Sequence, residues 1–301
     1  PLYSSAASDV YKRQGIGGFE LGIGKQGTCI GYSEIDKYAL DVYKKHFPTH
    51  RNFGDITTID TGKIPDFDLF VGGFPCQAFS IAGKRKGFTD TRGTLFFDIA
   101  RIIKDKRPNS FLLENVKGLL NHDKGKTFSI IIHTLRSLGY RVEWMVLNSQ
   151  FFGVPQRRER TFIIGHLGKE STQKILSFKD RSKANNETSK GFDGVNTLTA
   201  MGYSKIGGQD DYISGKQTLR KVVNSIDANY FKSIDNHGQR TFVKESDVSA
   251  RKLTPLECER LQGFPDNWTT GLSDTQRYKT LGNAVTVPVV KSLVGKFLIY
   301  K

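Results

Sequence analysis

The stretch TCIGYSEIDKYALDVYKKHF (28–47) decides how the rest of the chain is read. A short apolar run ends in an acidic residue, Glu34, and a segment with helical patterning (36–47) follows at once. The same unit recurs outward. DLFVGGF (68–74), SFLLEN (110–115), RVEWMVLN (141–148) and TFIIGHL (161–167) read as further strands, and the segments 93–105 and 124–138 read as helices. Alternation of strand and helix implies an α/β fold, a mainly parallel sheet with helices on both faces. In such sheets a ligand binds beyond the carboxyl ends of the strands, and most of the chemically suggestive residues fall there.

Composition sets the outer bounds. The chain has 301 residues, long enough to bury a large core without disulfides and to hold one compact domain plus a smaller one. Its hydrophobic fraction of 37% and mean hydropathy of -0.41 fit a soluble protein. No apolar run approaches the ~18 residues of a membrane span, and the opening has no basic stretch leading into an apolar one, so neither a membrane segment nor a signal peptide is expected. A net charge of +15, from 45 basic and 30 acidic side chains, favours a polyanionic partner. Ribosomal, membrane-surface and RNA-binding proteins share that excess, so charge alone does not choose among them. Cys29, Cys76 and Cys258 stand far apart with no CxxC pair. That argues against a zinc site and a disulfide framework, so no metal is expected, and it suits a cytoplasmic location.

Past residue 168 the pattern changes. Residues 169 to about 190 are polar and charged and read as a linker, and 191–250 are rich in Gly, Asn and Asp with short β-like runs, a second small domain. NTLTA (196–200) and NSIDA (224–228) echo one another, either a duplicated hairpin or chance. Thr254-Pro255-Leu256-Glu257 has the form of a capping box with Pro at the first helical position, opening a helix that runs to Gln262 and stops near Gly263. Val287–Tyr300 reads as a mostly apolar helix returning to the large domain.

Several residues carry chemistry. Gly15-Ile16-Gly17-Gly18-Phe19 is a glycine-rich turn entering a helix, where the backbone can approach a cofactor closely. Glu34, at the end of the next strand, can accept both hydroxyls of a ribose, and Asp55 in GDI (54–56), where a third strand should end, can reach an adenine amino group. Each acid alone reads as a solvated loop residue; their order and spacing favour a nucleoside-bearing cofactor. In GGFPCQAFS (72–80), Cys76 follows Pro75 at the carboxyl end of an apolar strand, placed as a nucleophile rather than as a core thiol. Glu114 in ENV ends another strand near the same crevice. QRRER (156–160) sits between FFGVP and TFIIGHL, an apolar setting that turns at least one of its arginines inward.

Taken in order, GIGGF, the Glu34 strand end, GDI, GGFPCQAFS, DTRGTLFFDIARI (90–102), ENV, QRRER, RKLTPLECERLQGFPDNW (251–268) and LGNAV (281–285) closely resemble the DNA cytosine-5 methyltransferase family. The resemblance runs from Gly15 to the end, excepting about 169–250. It implies a Rossmann-like class I S-adenosylmethionine-dependent methyltransferase core with a smaller, mostly β or irregular target-recognition domain. The divisions it suggests are 1–168 for catalysis and cofactor, 169–252 for target recognition, 253–280 as a hinge and helical segment, and 281–301 as the returning helix. It further implies that Cys76 attacks C6 of a flipped cytosine, that Glu114 holds its N3 and amino edge, and that Arg160 contacts O2 with Arg158 in support. Gly15, Ile16, Gly17, Glu34, Ile35, Asp55, Ile56, Pro75, Leu95, Asn283 and Val285 would hold S-adenosylmethionine. The segment Gln77–Arg92 resembles the family's mobile catalytic loop, in which Gln77, Ser80, Lys84, Arg85, Lys86 and Arg92 would meet DNA. Asn196, Thr197, Leu198, Asn229 and Arg240 are candidates to read bases, because Asn and Arg suit base edges. The expected partner is duplex DNA, with a cognate restriction endonuclease acting separately and the enzyme itself a monomer.

One departure stands out. The family carries an apolar DLFxG strand whose Phe, two residues before the first glycine, stacks on adenine; here Arg13 holds that position, and Ser4–Gln14 is polar. A central strand should be apolar and β-branched. The first fourteen residues are therefore expected to be a non-native leader, and cofactor binding by the chain is expected to be weak. Three rival readings are set against this one. A nicotinamide-dependent oxidoreductase shares the glycine turn but leaves FPCQ, ENV and RRER unexplained. An RNA-methylating relative shares the motifs, and a DNA-binding relative with impaired cofactor binding rests on the leader alone.

Overall fold

The computed structural model describes residues 2–6, 15–75, 95–168, 197–199, 223–230, 241–244 and 250–297. The 28–47 stretch forms β2 (Thr28–Ser33) and α2 (Lys37–His46). Asp36 divides them, its carboxylate accepting the backbone N–H of Tyr38 at 3.0 Å and of Ala39 at 3.1 Å, which satisfies donors that a helix start otherwise leaves open. The remaining sheet strands are β1 (Leu2–Ala6), β3 (Leu69–Gly73), β4 (Ser110–Val116), β5 (Tyr140–Asn148) and, after the two-residue β6 (Gln156–Arg157), β7 (Glu159–Leu167). They lie in the order β2-β1-β3-β4-β7-β5.

Side chains alternate between two apolar faces, as expected of a sheet covered on both sides. Phe70, Phe111, Leu113 and Ile163 face one core with α3 (Leu95–Lys106) and α4 (Lys126–Ser137). Leu69, Val71, Leu112, Phe162 and Ile164 face the other, with α1 (Gly18–Ile23). Three C-terminal helices follow: α5 (Pro255–Gln262), α6 (Asp274–Asn283) and α7 (Val287–Phe297). The α5 start is the capping box expected from sequence, and Gly263 ends it in the left-handed region at φ 78°. α7 returns to the sheet, where Val289, Val290, Leu293 and Val294 pack with Phe19 and Ile23 of α1. A third cluster joins α5 and α6 to Ile16 and to Ala39 and Val42 of α2.

The structure corrects one sequence expectation, the third strand before Asp55, and adds three further points. The central slot is filled by Leu2–Ala6, parallel to both β2 and β3 (Ser4 opposite Phe70, Ala6 opposite Ser33), although Ser4 and Ser5 are polar. An interior slot offers backbone partners on both sides, and that demand for pairing outweighs side-chain preference. Residues 7–14, outside the described set, connect it to Gly15. No third strand leads to Asp55; a single bridge from Tyr32 to Asn52 stands there, because Gly54 at φ 81° turns the chain out of the extended form. TFIIGHL is antiparallel to both neighbours, since the short 149–158 connection permits a return but not a crossover. Finally, Thr197–Thr199 (β8) pairs with β10 (Thr241–Lys244), which also pairs with β11 (Ala250–Lys252), whereas β9 (Val223–Asn224) runs parallel to β6. The two echoed segments thus have different environments and are not copies of one hairpin.

Candidate active site

The carboxyl ends of β2, β3 and β4 deliver Glu34, Pro75 and Glu114 to one edge of the sheet. Glu34 is 1% exposed. One of its carboxylate oxygens accepts the backbone N–H groups of Ile35 at 2.8 Å and Asp36 at 2.7 Å. The other faces Gly15 so closely that a Cβ there would collide with it. Gly17, at φ 87°, faces Phe47, and Gly18 faces Val285. The glycine-rich turn is thus walled by Glu34 on one side and by the 281–285 segment on the other. Ile35 is 38% exposed beside it, an apolar surface left open at the strand end.

Asp55 is half-buried and accepts the N–H of Thr57 at 2.9 Å. Its neighbour Ile56 is fully buried in the core, so only its backbone can meet a ligand. Leu95 is half-buried at the start of α3, Asn283 half-buried at the end of α6, and Val285 buried against α1. Asn52, unassigned from sequence, joins the two acidic corners. Its Oδ1 accepts the N–H of Gly54 at 2.9 Å and of Glu34 at 3.4 Å, and its Nδ2 donates to the Glu34 carbonyl at 3.1 Å. The Tyr32 hydroxyl is pushed up to about 12 by burial and then by the charges of Glu20 and Glu34, so it stays protonated.

Cys76 lies outside the described residues, as do Gln77, Ser80, Lys84, Arg85, Lys86, Arg92, Asn196 and Arg240. The chain leading to Cys76 is held firmly. Asn115 is fully buried and its Nδ2 donates to the Phe74 carbonyl at 2.6 Å, while its Oδ1 accepts the Val116 N–H at 2.8 Å. Sequence reasoning passed over Asn115; its signal was a second polar residue, directly after Glu114, at the end of the apolar run in SFLLENV. Glu114, 3% exposed, pairs with Arg160, Nε to Oε1 at 3.1 Å. Antiparallel pairing of β4 with β7 sets Val116 opposite Arg160 and so brings the two charged groups together.

Arg158, expected in support of Arg160, is held by backbone carbonyls. Its guanidinium is enclosed, 2% exposed, and donates to the carbonyls of Ile226 at 2.7 Å, Ala284 at 2.8 Å and Gly282 at 3.1 Å. Such a set makes it a tether joining QRRER to the 225–228 segment and the 281–285 turn. Gln156 completes the tether, accepting the Ile226 N–H at 3.0 Å and donating to the Leu261 carbonyl at 2.9 Å. Thr197 and Leu198 lie in β8, and Asn229 sits in a turn in which its N–H reaches Asp227 at 2.9 Å.

A family model for C-5 cytosine-specific DNA methylases matches residues 13–194 and 173–298. The chain belongs to that family. This C-5 cytosine methylase is 41% identical to the Type II methyltransferase M1.ScrFI of Lactococcus lactis subsp. cremoris, over 94% of its own length and 76% of the relative's. It is also 41% identical to the Type II methyltransferase M.SsoII of Shigella sonnei, over 94% and 78%. Its fold is that of the S. pombe Dnmt2 methyltransferase, with a TM-score of 0.70 at 19% identity over 100% of this chain and 99% of the other. The methylase is thus a Rossmann-like methyltransferase acting on cytosine C5. Among the described residues no helix is long and apolar enough to cross a membrane.

Proposed function

We propose that this methylase modifies a cytosine within a specific duplex DNA sequence, using S-adenosylmethionine as donor and Cys76 as nucleophile. The observation that carries the reading is the pairing of buried Glu114 with half-buried Arg160 at 3.1 Å, at the sheet edge where Asn115 holds the chain that enters Cys76. A carboxylate and a guanidinium side by side match the two polar edges of cytosine. Glu114 takes the N3 and amino side; Arg160 donates to O2. As the Cys76 thiolate bonds to C6, negative charge spreads into the ring; Arg160 stabilises it at O2, and Glu114, holding the N3 and amino edge, favours a proton on N3 that neutralises it there. C5 becomes nucleophilic, and after it is alkylated a base removes its proton while the thiolate leaves.

The glycine turn, Glu34, Ile35 and Asp55 fit a nucleoside: a carboxylate for the ribose hydroxyls, an open apolar surface, and a second acid near the base. S-adenosylmethionine bound there supplies an electrophilic methyl group. The target cytosine is inaccessible in a stacked duplex and must be flipped out, at a cost of roughly a few kcal/mol. Lys84, Arg85 and Lys86 offer phosphate contacts to offset it. The same reading gives a monomeric cytoplasmic enzyme whose cognate restriction endonuclease acts separately.

Incubation with tritiated donor and duplex DNA tests the mechanism. The parent should incorporate label and Cys76→Ser should not; equal incorporation would overturn it. Label entering transfer RNA in preference to duplex DNA would overturn the substrate assignment.

A further inference from the structure

The described supports of the glycine-rich turn come from downstream, and one of them has no part in the mechanism above. Trp268, in the GFPDNW stretch after α5, is 7% exposed. Its indole N–H donates to the carbonyl of Ile16 at 2.7 Å, in the middle of the turn. The ring itself is fixed. His46, at the end of α2, stacks on it with centroids 3.5 Å apart and planes 5° apart, and His46 Nε2 meets the Trp268 carbonyl at 2.7 Å. Phe264 and Phe47 pack nearby, at 5.7 Å and 6.0 Å. These same two rings approach the turn: Phe47 occupies the space beside Gly17, and Phe264 the space beside Gly18. Lys45 adds a bond from Nζ to the Thr270 carbonyl at 3.1 Å.

We infer that Trp268 is a positioning residue for the cofactor: it orients the Ile16 peptide, and with it the backbone N–H groups of the turn, while His46 holds the indole in plane. A glycine-rich turn is conformationally permissive and settles only where something outside it fixes its peptides. A buried indole donor aimed at one carbonyl does so, because rotating that peptide would leave both groups unpaired. No apolar DLFxG motif precedes Gly15 in the sequence, so this downstream brace matters more here. The inference rests on the proposed placement of S-adenosylmethionine at this turn.

The chain has two tryptophans, and the other, Trp144, is 46% exposed at the sheet edge against Phe128. Trp144→Phe therefore leaves Trp268 as the only indole emitter. In that background, saturating S-adenosylmethionine should shift the emission. Trp268→Phe, which keeps a ring on His46 but lacks the N–H, should raise the calorimetric Kd for S-adenosylmethionine roughly three- to tenfold. Affinity for duplex DNA and kcat at saturating donor should stay within about twofold. His46→Leu, at a half-buried position, should move the same affinity in the same direction and decides the matter where Trp268→Phe does not fold. If the parent binds donor and both variants bind it equally well, the inference fails and the proposed site stands. A joint fall in donor affinity, DNA affinity and melting temperature would reduce Trp268 to core packing and also overturn it. A parent that binds DNA but no donor would sink the cofactor placement itself, and the inference with it.

Discussion

Asn115 and Arg160 show how much of this methylase rests on single side chains. The amide of Asn115 holds the Phe74 carbonyl from inside the core, two residues before the proposed nucleophile. Asn115→Ala removes that hold without touching any group that meets DNA. A displacement of about 1 Å in a reacting group costs up to ~10²-fold in rate. Asn115→Ala is therefore expected to lower kcat by about that factor while DNA affinity, measured by filter binding, is unchanged. Arg160→Ala acts on stability as well. It leaves Glu114 buried without the guanidinium beside it, and breaking a buried pair by removing one partner costs about 3–5 kcal/mol. Urea unfolding should show a loss toward the lower end of that range, because Arg160 retains some exposure; no measurable loss would mean that water reaches Glu114. Glu114 and Arg160 were both legible as residue types in sequence. Their contact was not, since β4 and β7 meet through an antiparallel register that strand patterning alone does not encode.

Elements differ in how far local sequence accounts for them. The start of α5 is set locally: Thr254 accepts the Glu257 N–H at 3.2 Å, and the Glu257 carboxylate accepts the Thr254 N–H at 2.6 Å. Thr254→Ala should cost about 1 kcal/mol in thermal or urea unfolding; an unchanged midpoint would show that α5 is held by packing alone. The central strand is the opposite case. LYSSA has little intrinsic claim to an interior position, yet the slot between β2 and β3 orders it. Replacing the residues before Gly15 with an apolar DLFxG strand should raise S-adenosylmethionine affinity by calorimetry, from the weak binding expected of the present chain. Ordinary micromolar binding by the unaltered chain would refute that expectation. The 28–47 unit and its successors were readable because period-two and helical patterns are local properties. The single bridge at Asn52 was not, because a glycine at positive φ ended a strand that the spacing of acids had suggested.

At the scale of the whole molecule, burial sets a pH dependence that no single element reveals. Burial lowers His166, with Arg141 adding to the effect and Glu143 opposing it, and burial lowers His50 against the pull of Glu20. Both imidazoles are held neutral in the folded chain, so below the ordinary value of 6.5 the unfolded chain binds more protons. Stability should therefore fall as pH drops from 6.5 through the lower folded values, and be fully present above it. Urea titrations at about pH 7.5 and about pH 5.5 check this, and His166→Asn should flatten the slope. A stability that rises on acidification through that window would contradict the burial of these rings. The same closeness of packing explains Gly282, where a Cβ would strike the backbone of Asp227 and Ala228. Gly282→Ala should weaken the join between the 225–228 segment and the cofactor-side turn, at about 1–3 kcal/mol, read as a lowered unfolding midpoint.

By itself the sequence determined the alternation of strands and helices, the residue types of the proposed site and the family to which they belong, because periodicity, turn glycines and motif order are written along the chain. Tertiary structure decided what those residues touch. It made Arg158, expected in support of Arg160, a tether on three carbonyls. It gave Asn52, Asn115 and Trp268 their places around the strand ends. The physical reason is common to all four. Each satisfies, or is satisfied by, a buried backbone group far away in sequence, and such a group needs a partner only once the fold has removed it from water.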